Sequence, residues 1–177
     1  GRQMKQAASV TGTAYSLRPM DADDQRLAFQ IYASTRAEEM ALVPWTDEQK
    51  EAFLTMQFNA QSAHYSKFNP TAEYSIILCG GQAAGRLIME RSPREIVVMD
   101  IALLPQFRGQ GVGTTILQDC VDEARQAGLP LVLRVEFFNP AIRLYTRLGF
   151  VKTKEVNSVY HEMVWDPKQP HSATKAS

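Results

Sequence analysis

A glycine-rich segment is the part of this chain whose residue types and spacing point most directly to chemistry. Gly109, Gly111 and Gly113 alternate with other residues directly after Arg108, between an apolar run and an amphipathic run. Glycine lets the backbone turn tightly and brings its N–H groups against a ligand without interference from Cβ atoms. A helix that begins here adds unpaired donors and a partial positive charge, which suit a pyrophosphate, and Arg108 adds a forked charged donor. The segment predicts a phosphate-binding loop, and the alternative is a flexible turn that needs no ligand.

Two common nucleotide-binding motifs do not fit this segment. A dinucleotide fingerprint requires a glycine at its sixth position, but counting from Gly109 or Gly111 that position holds Thr114 or Ile116. A P-loop requires a lysine before Ser or Thr after the last glycine, and Gly113 is followed directly by Thr114. The sequence therefore disfavours dinucleotide binding and nucleoside triphosphate hydrolysis.

A second motif occupies residues 139–150. It opens with Asn139-Pro140, carries Tyr145 and ends in Gly149-Phe150. Asparagine followed by proline is typical of a helix N-terminus, so we expect a short helix that begins here and ends at Gly149.

Taken together, the two motifs resemble those of the GNAT superfamily of acetyltransferases. The first matches the superfamily's R-x-x-G-x-G pattern at Arg108, Gly111 and Gly113, and the second matches its helix that bears a tyrosine and ends in Gly-Phe. The resemblance covers residues 74–165 by motif and residues 15–68 by the order of elements alone. It implies acetyl-CoA as co-substrate, no metal, and acetyl transfer to an amine.

The resemblance also assigns coenzyme-binding positions. In the strand at residues 100–104, backbone amides near Ile101 and Leu103 would face the pantetheine arm and the acetyl group, where fixed donors stabilise a developing oxyanion. Asn139 either caps its helix or also contacts the coenzyme, and the cap alone explains its presence. The other expected coenzyme-binding residues are those of the glycine segment: Arg108, Gly109, Gln110, Gly111, Val112, Gly113 and Thr114.

Tyr145 matches the superfamily's tyrosine and is the candidate acid. A phenol with an ordinary pKa near ~10 can supply its proton to the coenzyme thiolate as charge develops on sulfur. The alternative is a tyrosine that packs in the core, and the two roles can coexist.

The base that takes the amine proton has two candidates. Asp100 shares a strand face with Ala102 and could accept the proton directly or through water. It could equally be a structural carboxylate paired with an arginine. Glu136, just after a buried strand and before Phe137-Phe138, is the second candidate. An amine that arrives neutral needs neither.

Around these residues the pattern predicts an α/β fold, with a mixed, mostly antiparallel sheet of about six to seven strands and about four flanking helices. The expected order is a strand, two helices, three strands, a helix, a strand, a helix and two strands. Residues 46–49 form a capping-box pattern for the second helix, and Gly80-Gly81 indicates a hairpin. We expect a single domain over residues 14–165, with flexible termini at 1–13 and 166–177.

Composition limits the partners. The 177 residues contain 19 basic and 19 acidic side chains, so no net positive field would attract nucleic acid or an anionic membrane. No apolar run approaches the ~20 residues of a membrane span, and no signal peptide is apparent. Cys79 and Cys120 lie far apart without a metal-ligand spacing. These features predict a cytoplasmic protein.

The acceptor stays open between a small-molecule and a peptide amine. Glu38, Glu39 and Trp45 could form a wall for a cationic amine, although charged helix ends are more often solvated. A non-catalytic domain that binds acyl-CoA as a sensor or scaffold is one alternative function. Transfer of a longer acyl chain, which depends on the size of the cavity near Leu103 and Leu144, is another. A homodimer would follow from analogy with the superfamily alone.

Overall fold

The fold is built on one mixed sheet, seen in a computed structural model that describes residues 14–136, 139–156 and 160–169. Within these residues the strands are β1 (Ser16–Pro19), β2 (Glu73–Cys79), β3 (Gln82–Arg91), β4 (Ile96–Leu103), β5 (Leu131–Glu136), β6 (Val151–Val156) and β7 (Tyr160–Trp165). Their order across the sheet is β1-β2-β3-β4-β5-β7-β6. The helices are α1 (Gln25–Ser34), α2 (Ala37–Ala41), α3 (Asp47–Phe68), α4 (Val112–Ala127) and α5 (Ile142–Arg147).

The expected strand count and α/β class are confirmed. The short helix α2 was not predicted, because none of its residues is buried and no side chain caps its start, so it leaves no apolar pattern. Residues 1–13 and 170–177 of the expected flexible termini, Phe137-Phe138 and positions 158–159 of the last expected strand lie outside the described residues. Among the described residues, no helix is long and apolar enough to cross a membrane.

Several local predictions hold. The Thr46 hydroxyl accepts from the Gln49 N–H at 3.1 Å while the Gln49 side chain accepts from the Thr46 N–H at 2.9 Å, which completes the capping box of α3. Gly80 and Gly81 both have positive φ angles in the β2–β3 hairpin. Gly128 ends α4 in the left-handed conformation. Each position meets a backbone requirement that its residue type satisfies at low cost.

Helices cover both faces of the sheet. One face packs against α4 and Tyr145 of α5 around a large apolar cluster, which includes Leu87, Val98 and Leu133. The opposite face packs against α1 and α3 in smaller clusters, which include Ile76 and Ile88. All neighbouring strands are antiparallel except β4 and β5, which are parallel.

A β-bulge in β4 opens the sheet. The register with β3 shifts between Ile88, which pairs with Asp100, and Met89, which pairs with Val98, so Met99 is the extra residue. Bulges bend a strand and raise its twist. The parallel pairing with β5 ends at Val98 and Leu133, immediately before the bulge. Residues 99–103 of β4 and 134–136 of β5 therefore diverge, and we call the space between them the cleft.

Gly85 fixes the other side of β4 at the cleft. A Cβ atom at this position would lie 2.0 Å from the Ala102 carbonyl oxygen and 3.0 Å from the Leu103 Cα. Only glycine allows β3 to approach β4 this closely. The approach holds β4 against β3 where β4 leaves β5.

Candidate active site

The backbone of β4 presents donors to the cleft. The Leu104 N–H donates to the Ala84 oxygen of β3 at 2.7 Å. Because N–H groups alternate in direction along a strand, those of Leu103 and Ile101 point away from β3 and toward the cleft. These are the two amides that the resemblance singled out.

The glycine segment links β4 to α4 at the mouth of the cleft. Gly109 and Gly111 have φ angles of 73° and 88°, a region that other residues rarely adopt. Gly111 is the N-cap of α4, where no side chain caps the N–H groups of the helix and no acidic residue occupies the first turn. The first backbone N–H groups of α4 are therefore uncapped by side chains, and a helix N-terminus favours an anion there.

Gly113 has no structural reason to be glycine. It lies inside α4 with ordinary helical geometry, and an added Cβ would meet only the Leu103 Cδ1, at 3.9 Å. A glycine in a helix costs about 0.5–1 kcal/mol relative to alanine. The missing Cβ instead leaves space for a group that approaches the first turn of α4.

Arg108 joins the end of β4 to the end of α1. Its Nε donates to the Leu103 carbonyl at 2.8 Å, and its Nη2 donates to the Ser34 carbonyl and hydroxyl, both at 3.3 Å. The side chain is exposed. The guanidinium therefore lies at the mouth of the cleft, within the segment predicted to bind phosphate.

Tyr145 is buried, with 7% of its surface exposed, and its ring lies 6.4 Å from that of Phe150 in an edge-on arrangement. Burial raises the pKa of the Tyr145 phenol, the nearby Asn139 side chain opposes the shift, and the charge of Asp100 adds to it. The phenol therefore holds its proton more tightly than a free tyrosine does.

Asn139 does not cap α5 as predicted. The helix begins at Ile142 with Ala141 as N-cap, while the Asn139 Oδ1 accepts from the Ala141 N–H at 2.8 Å. An asparagine that bonds the backbone two residues on forms an Asx turn, and Pro140 occupies that turn. The turn delays the helix by two residues.

Asp100 is paired with a buried arginine. The Arg86 Nε donates to the Asp100 Oδ2 at 2.6 Å, and the Arg86 Nη2 donates to the Gln61 Oε1 of α3 at 2.8 Å. Arg86 is 5% exposed and Asp100 is 27% exposed at the side chain. The pairing fixes the carboxylate at the bulge with part of its surface open, so this arrangement contains the arginine partner that one interpretation expected.

Glu136 has a matching partner on the other side of the cleft. The Arg36 Nη2 lies 2.7 Å from the Glu136 Oε2, and the Arg36 guanidinium lies over the Tyr32 ring, 5.3 Å from its centre. Arg86 lies on the same ring, at 6.0 Å. A continuous chain of contacts thus runs from Asp100 of β4 to Glu136 of β5. It passes through Arg86, Tyr32 and Arg36.

Sequence reasoning missed Tyr32 and both arginines. Arg86 carries a signal, because it is a charge inside the apolar run of β3 and a buried charge requires a partner. Tyr32 in α1 and Arg36 just after it carry no such signal, because nothing in their spacing predicts a contact with β5. The suggested acceptor wall is split: Trp45 packs on Phe53, with ring centres 5.3 Å apart, while Glu39 lies 3.8 Å from Arg36.

The sequence pattern of a known protein family matches most of this chain. The profile of the acetyltransferase (GNAT) family matches residues 30–150, more than half of the chain. The chain belongs to the GNAT acetyltransferase family. The match includes the cleft, the glycine segment and the Tyr145 motif, and it extends the family relationship into α1 and α3. A search of curated proteins finds no match to this sequence.

Solved GNAT structures share the fold at low identity. The PaiA N-acetyltransferase from Thermoplasma acidophilum, in complex with coenzyme A, has a TM-score of 0.62 and 13% identity, covering 86% of this chain and 98% of its own. The Escherichia coli ribosomal-protein-S18-alanine N-acetyltransferase has a TM-score of 0.58 and 20% identity, covering 88% and 96%. A Thermus thermophilus acetyltransferase has a TM-score of 0.58 and 17% identity, covering 85% and 95%.

A separate cavity of about 540 Å³ lies between α1, α2 and α3. Phe29, Met40 and Leu54 form part of its apolar lining, and Arg26 and Lys50 lie at its polar side. No residue of the cleft or the glycine segment lines it. This cavity is therefore separate from the cleft.

Proposed function

We propose that this GNAT family member is an N-acetyltransferase that moves the acetyl group of acetyl-CoA directly to an amine. The observation that carries the proposal is the divergence of β4 from β5 at the Met99 bulge, directly beside the uncapped start of α4. Two strand amides that point away from β3 and a helix N-terminus without a side-chain cap, joined by the glycine segment, support the proposal. Pantetheine and pyrophosphate need those two kinds of donor in that order.

The residues that bind the coenzyme fit its chemistry. Backbone N–H groups of residues 109–114 and the Arg108 guanidinium would hold the phosphates, and the absent Cβ of Gly113 leaves room for them. Asn139 would contact the coenzyme near Tyr145. Bound in this way, the coenzyme supplies an activated acetyl thioester at the diverging end of the cleft.

The amides of Ile101 and Leu103 would stabilise the oxyanion that forms when the amine attacks the thioester carbonyl. Donors fixed in a water-poor site stabilise such charge without reorganisation, and the loss of one donor commonly costs about 3 kcal/mol. The tight packing of β3 on β4 at Gly85 supports this role, because it keeps these amides in place.

Tyr145 would give its phenolic proton to the coenzyme sulfur as the C–S bond breaks. Burial raises the pKa of the phenol, so Tyr145 is protonated before the reaction. The resulting phenolate would be neutralised by solvent after the products leave.

Asp100 would accept the amine proton. Its Oδ2 accepts a hydrogen bond from Arg86, and its side chain is partly exposed. Its charge contributes to the raised pKa of Tyr145. The carboxylate and the phenol would thus act on the amine and the leaving sulfur within one site. Glu136, held by Arg36 on the opposite strand, is the second candidate for this role.

We place the protein in the cytoplasm with a small-molecule or peptide amine as acceptor, without nucleic acid or membrane partners and without a metal. Balanced charge supports this placement, since the chain has 19 basic and 19 acidic residues. We assign the domain to residues 14–165.

The test is a screen of amine acceptors with acetyl-CoA, in which released thiol is measured and the products are weighed by mass spectrometry. We expect thiol release that depends on one class of amine, with the acetyl group found on its nitrogen. Tight acetyl-CoA binding without turnover on any small amine or peptide would favour a non-catalytic acyl-CoA-binding domain. Transfer to a hydroxyl would contradict N-acetylation while leaving acetyl transfer intact.

A further inference from the structure

Arg134 is a half-buried cation at the point where the two strands of the cleft separate. It directly follows Leu133, the last residue of β5 that pairs with β4. Its cross-strand neighbour on β7 is Glu162, whose Oε1 lies 3.8 Å from the Lys154 Nζ. Within the described residues Arg134 makes no ion pair and no side-chain hydrogen bond. A cation that is partly removed from water without a counter-charge favours an anionic ligand.

Two other arginines beside the cleft have counter-charges. Arg86 pairs with Asp100, and Arg36 pairs with Glu136. These two pairs add no net charge, so Arg134 leaves the five residues together with one positive charge. An acceptor that carries only an amine would bring nothing to balance it.

Arg134 and Asp100 face the same side of the sheet. Leu133 packs in the apolar cluster beside α4, and side chains alternate along a strand, so Arg134 points to the opposite face, which α3 covers. Asp100 also faces α3, because its partner Arg86 bonds Gln61 of that helix as well. A carboxylate from one diverging strand and a guanidinium from the other therefore lie on the same side, below α3.

Tyr65 of α3 lies near both charges. Its ring belongs to the same apolar cluster as Met99, the neighbour of Asp100. Burial raises the pKa of the Tyr65 phenol, the charge of Asp100 adds to the shift, and the charges of two arginines, Arg134 among them, oppose it. Tyr65 is 8% exposed, and in the part of the chain that the structure describes its hydroxyl makes no hydrogen bond. Such a hydroxyl is available to a polar group of a ligand.

The phosphates of the coenzyme do not account for Arg134. The glycine segment assigned to them follows the end of β4 at Leu103, whereas the pairing of β4 with β5 ends at Val98. At ~3.3 Å per residue these two places lie about 15 Å apart. The helix α4 that the segment opens also covers the opposite face of the sheet. The anion that Arg134 meets is therefore a group of the acceptor.

We propose that the acceptor is an amino carboxylate, a small molecule that carries both a free amine and a carboxylate, and that Arg134 binds the carboxylate. This assignment rests on the acetyl transfer proposed above. A guanidinium bonds a carboxylate through two parallel N–H donors, which fixes the orientation of the bound molecule. The Tyr65 hydroxyl donates to the same carboxylate, and the amine lies toward Asp100.

The transfer leaves the carboxylate unchanged. The neutral amine nitrogen forms a bond to the thioester carbonyl carbon and gives one proton to Asp100. The C–S bond breaks, and the sulfur takes the phenolic proton of Tyr145. Arg134 and Tyr65 contact only the carboxylate, so they select the amine that binds and take no part in the bond changes.

The test compares amino carboxylates with their uncharged amides in the thiol-release assay with acetyl-CoA. The panel contains the L-α-amino acids, β-alanine and 4-aminobutyrate, each beside its primary amide. We expect the best amino carboxylate to exceed its amide in kcat/KM by about 100-fold, because the amide cannot form the charged pair. An amide that reacts as well as its carboxylate overturns the proposal.

Variants of the two residues test the assignment within the site. Arg134→Gln should raise KM for the amino carboxylate by about tenfold or more and leave kcat/KM for the amide unchanged. Arg134→Lys should restore part of the loss, and Tyr65→Phe should also affect the carboxylate alone. Arg94→Gln removes an exposed arginine at the β3–β4 turn and should change neither substrate. Equal losses for carboxylate and amide would make Arg134 a structural residue and overturn the proposal.

Binding measured without turnover separates this proposal from acetyl transfer itself. Thermal melts with CoA and each amino carboxylate detect binding whether or not the reaction occurs. Stabilisation of the wild type that is lost in Arg134→Gln would support the carboxylate site even if no transfer is seen. Turnover only of amines that lack a carboxylate would overturn the acceptor class and leave acetyl transfer intact. Neither binding nor turnover with any amino carboxylate would also overturn it.

Discussion

The Arg86 Nε donates to the Asp100 Oδ2 over 2.6 Å at the bulge of β4, where the strand leaves its parallel neighbour. The carboxylate compensates the charge of the buried arginine, which would be costly to bury alone, and the arginine fixes the carboxylate in one orientation. Glu136, on the other strand of the cleft, pairs with Arg36 but is more exposed, with 54% of its side chain accessible. Mutation can show which of the two carboxylates, Asp100 or Glu136, accepts the amine proton.

Asp100→Asn should reduce kcat/KM by about 100-fold or more, because it removes the proton acceptor while keeping the side-chain shape. Glu136→Gln is the matched control and should change kcat/KM only slightly. Steady-state rates with the best acceptor from the amine screen measure both. A larger loss of kcat/KM in Glu136→Gln than in Asp100→Asn would assign the role of base to Glu136. Unchanged kcat/KM in both variants would show that the amine enters already neutral.

Tyr145→Phe should lower kcat by about 100-fold while acetyl-CoA affinity stays nearly constant, because the phenyl ring keeps the packing and loses only the proton. The proper control is Tyr15→Phe, which removes another buried hydroxyl, one that donates to the Asp119 Oδ2 at 2.7 Å away from the cleft. That variant should lose stability without losing kcat. Undiminished turnover by Tyr145→Phe would remove the acid assignment.

Arg108→Ala should weaken acetyl-CoA binding by about tenfold, the value of one charged hydrogen bond. Arg94→Ala removes an exposed arginine at the β3–β4 turn and should leave affinity unchanged. Calorimetric titration measures both dissociation constants. Equal affinity of the Arg108 variant and the wild type would mean that the guanidinium only ties Leu103 to Ser34.

Gly113→Ala should raise stability and weaken acetyl-CoA binding together. Alanine in a helix gains about 0.5–1 kcal/mol over glycine, and the added Cβ meets only Leu103 Cδ1 at 3.9 Å. The same methyl group would fill the space at the first turn of α4 that we assign to the phosphates. Thermal melts and titrations on one preparation would show the two effects. A more stable variant with unchanged affinity would contradict that assignment.

Several elements around the candidate site were predictable because their signals are local. The glycine segment, the Thr46–Gln49 capping box and the Gly80-Gly81 hairpin each need residues close in sequence, and the structure contains the elements that they indicate. Only the family resemblance predicted that the amides of Ile101 and Leu103 face the coenzyme. The hydrogen bond from the Leu104 N–H to the Ala84 oxygen implies that both amides point toward the cleft.

The bulge at Met99 and the chain of contacts through Tyr32 were not predictable. A bulge is a mismatch between two strands, and the apolar run of β4 reads the same with or without it. The contact from Arg36 to Glu136 joins residues 100 positions apart and depends on how α1 docks on the sheet. The start of α5 was predicted two residues too early, because an asparagine that caps a helix and one that forms an Asx turn have the same sequence pattern.

Asp24 gives the fold a pH dependence that is independent of the cleft. Two hydrogen bonds from Arg18, at 2.8 and 2.9 Å, and one from the Asp21 N–H lower the pKa of Asp24 to about 2. A lowered carboxyl pKa stabilises the fold above the unfolded value and loses this contribution as pH falls from about 4 to 2.

Asp24→Asn should therefore reduce the free energy of unfolding by on the order of 1 kcal/mol at neutral pH and by progressively less below pH ~4. Asp23→Asn, at the exposed neighbouring position, is the control. Urea denaturation across this pH range measures the difference. A loss that stays constant down to pH ~2 would show that the carboxylate charge is not what stabilises the start of α1.

The most direct test of the central claim is calorimetric titration of the wild-type protein with acetyl-CoA, with NADH and ATP as controls. If the cleft and the glycine segment form a coenzyme site, acetyl-CoA binds at one site per chain and neither control binds comparably. Absence of acetyl-CoA binding, or equal binding of all three, would contradict the assignment of the cleft to acetyl-CoA.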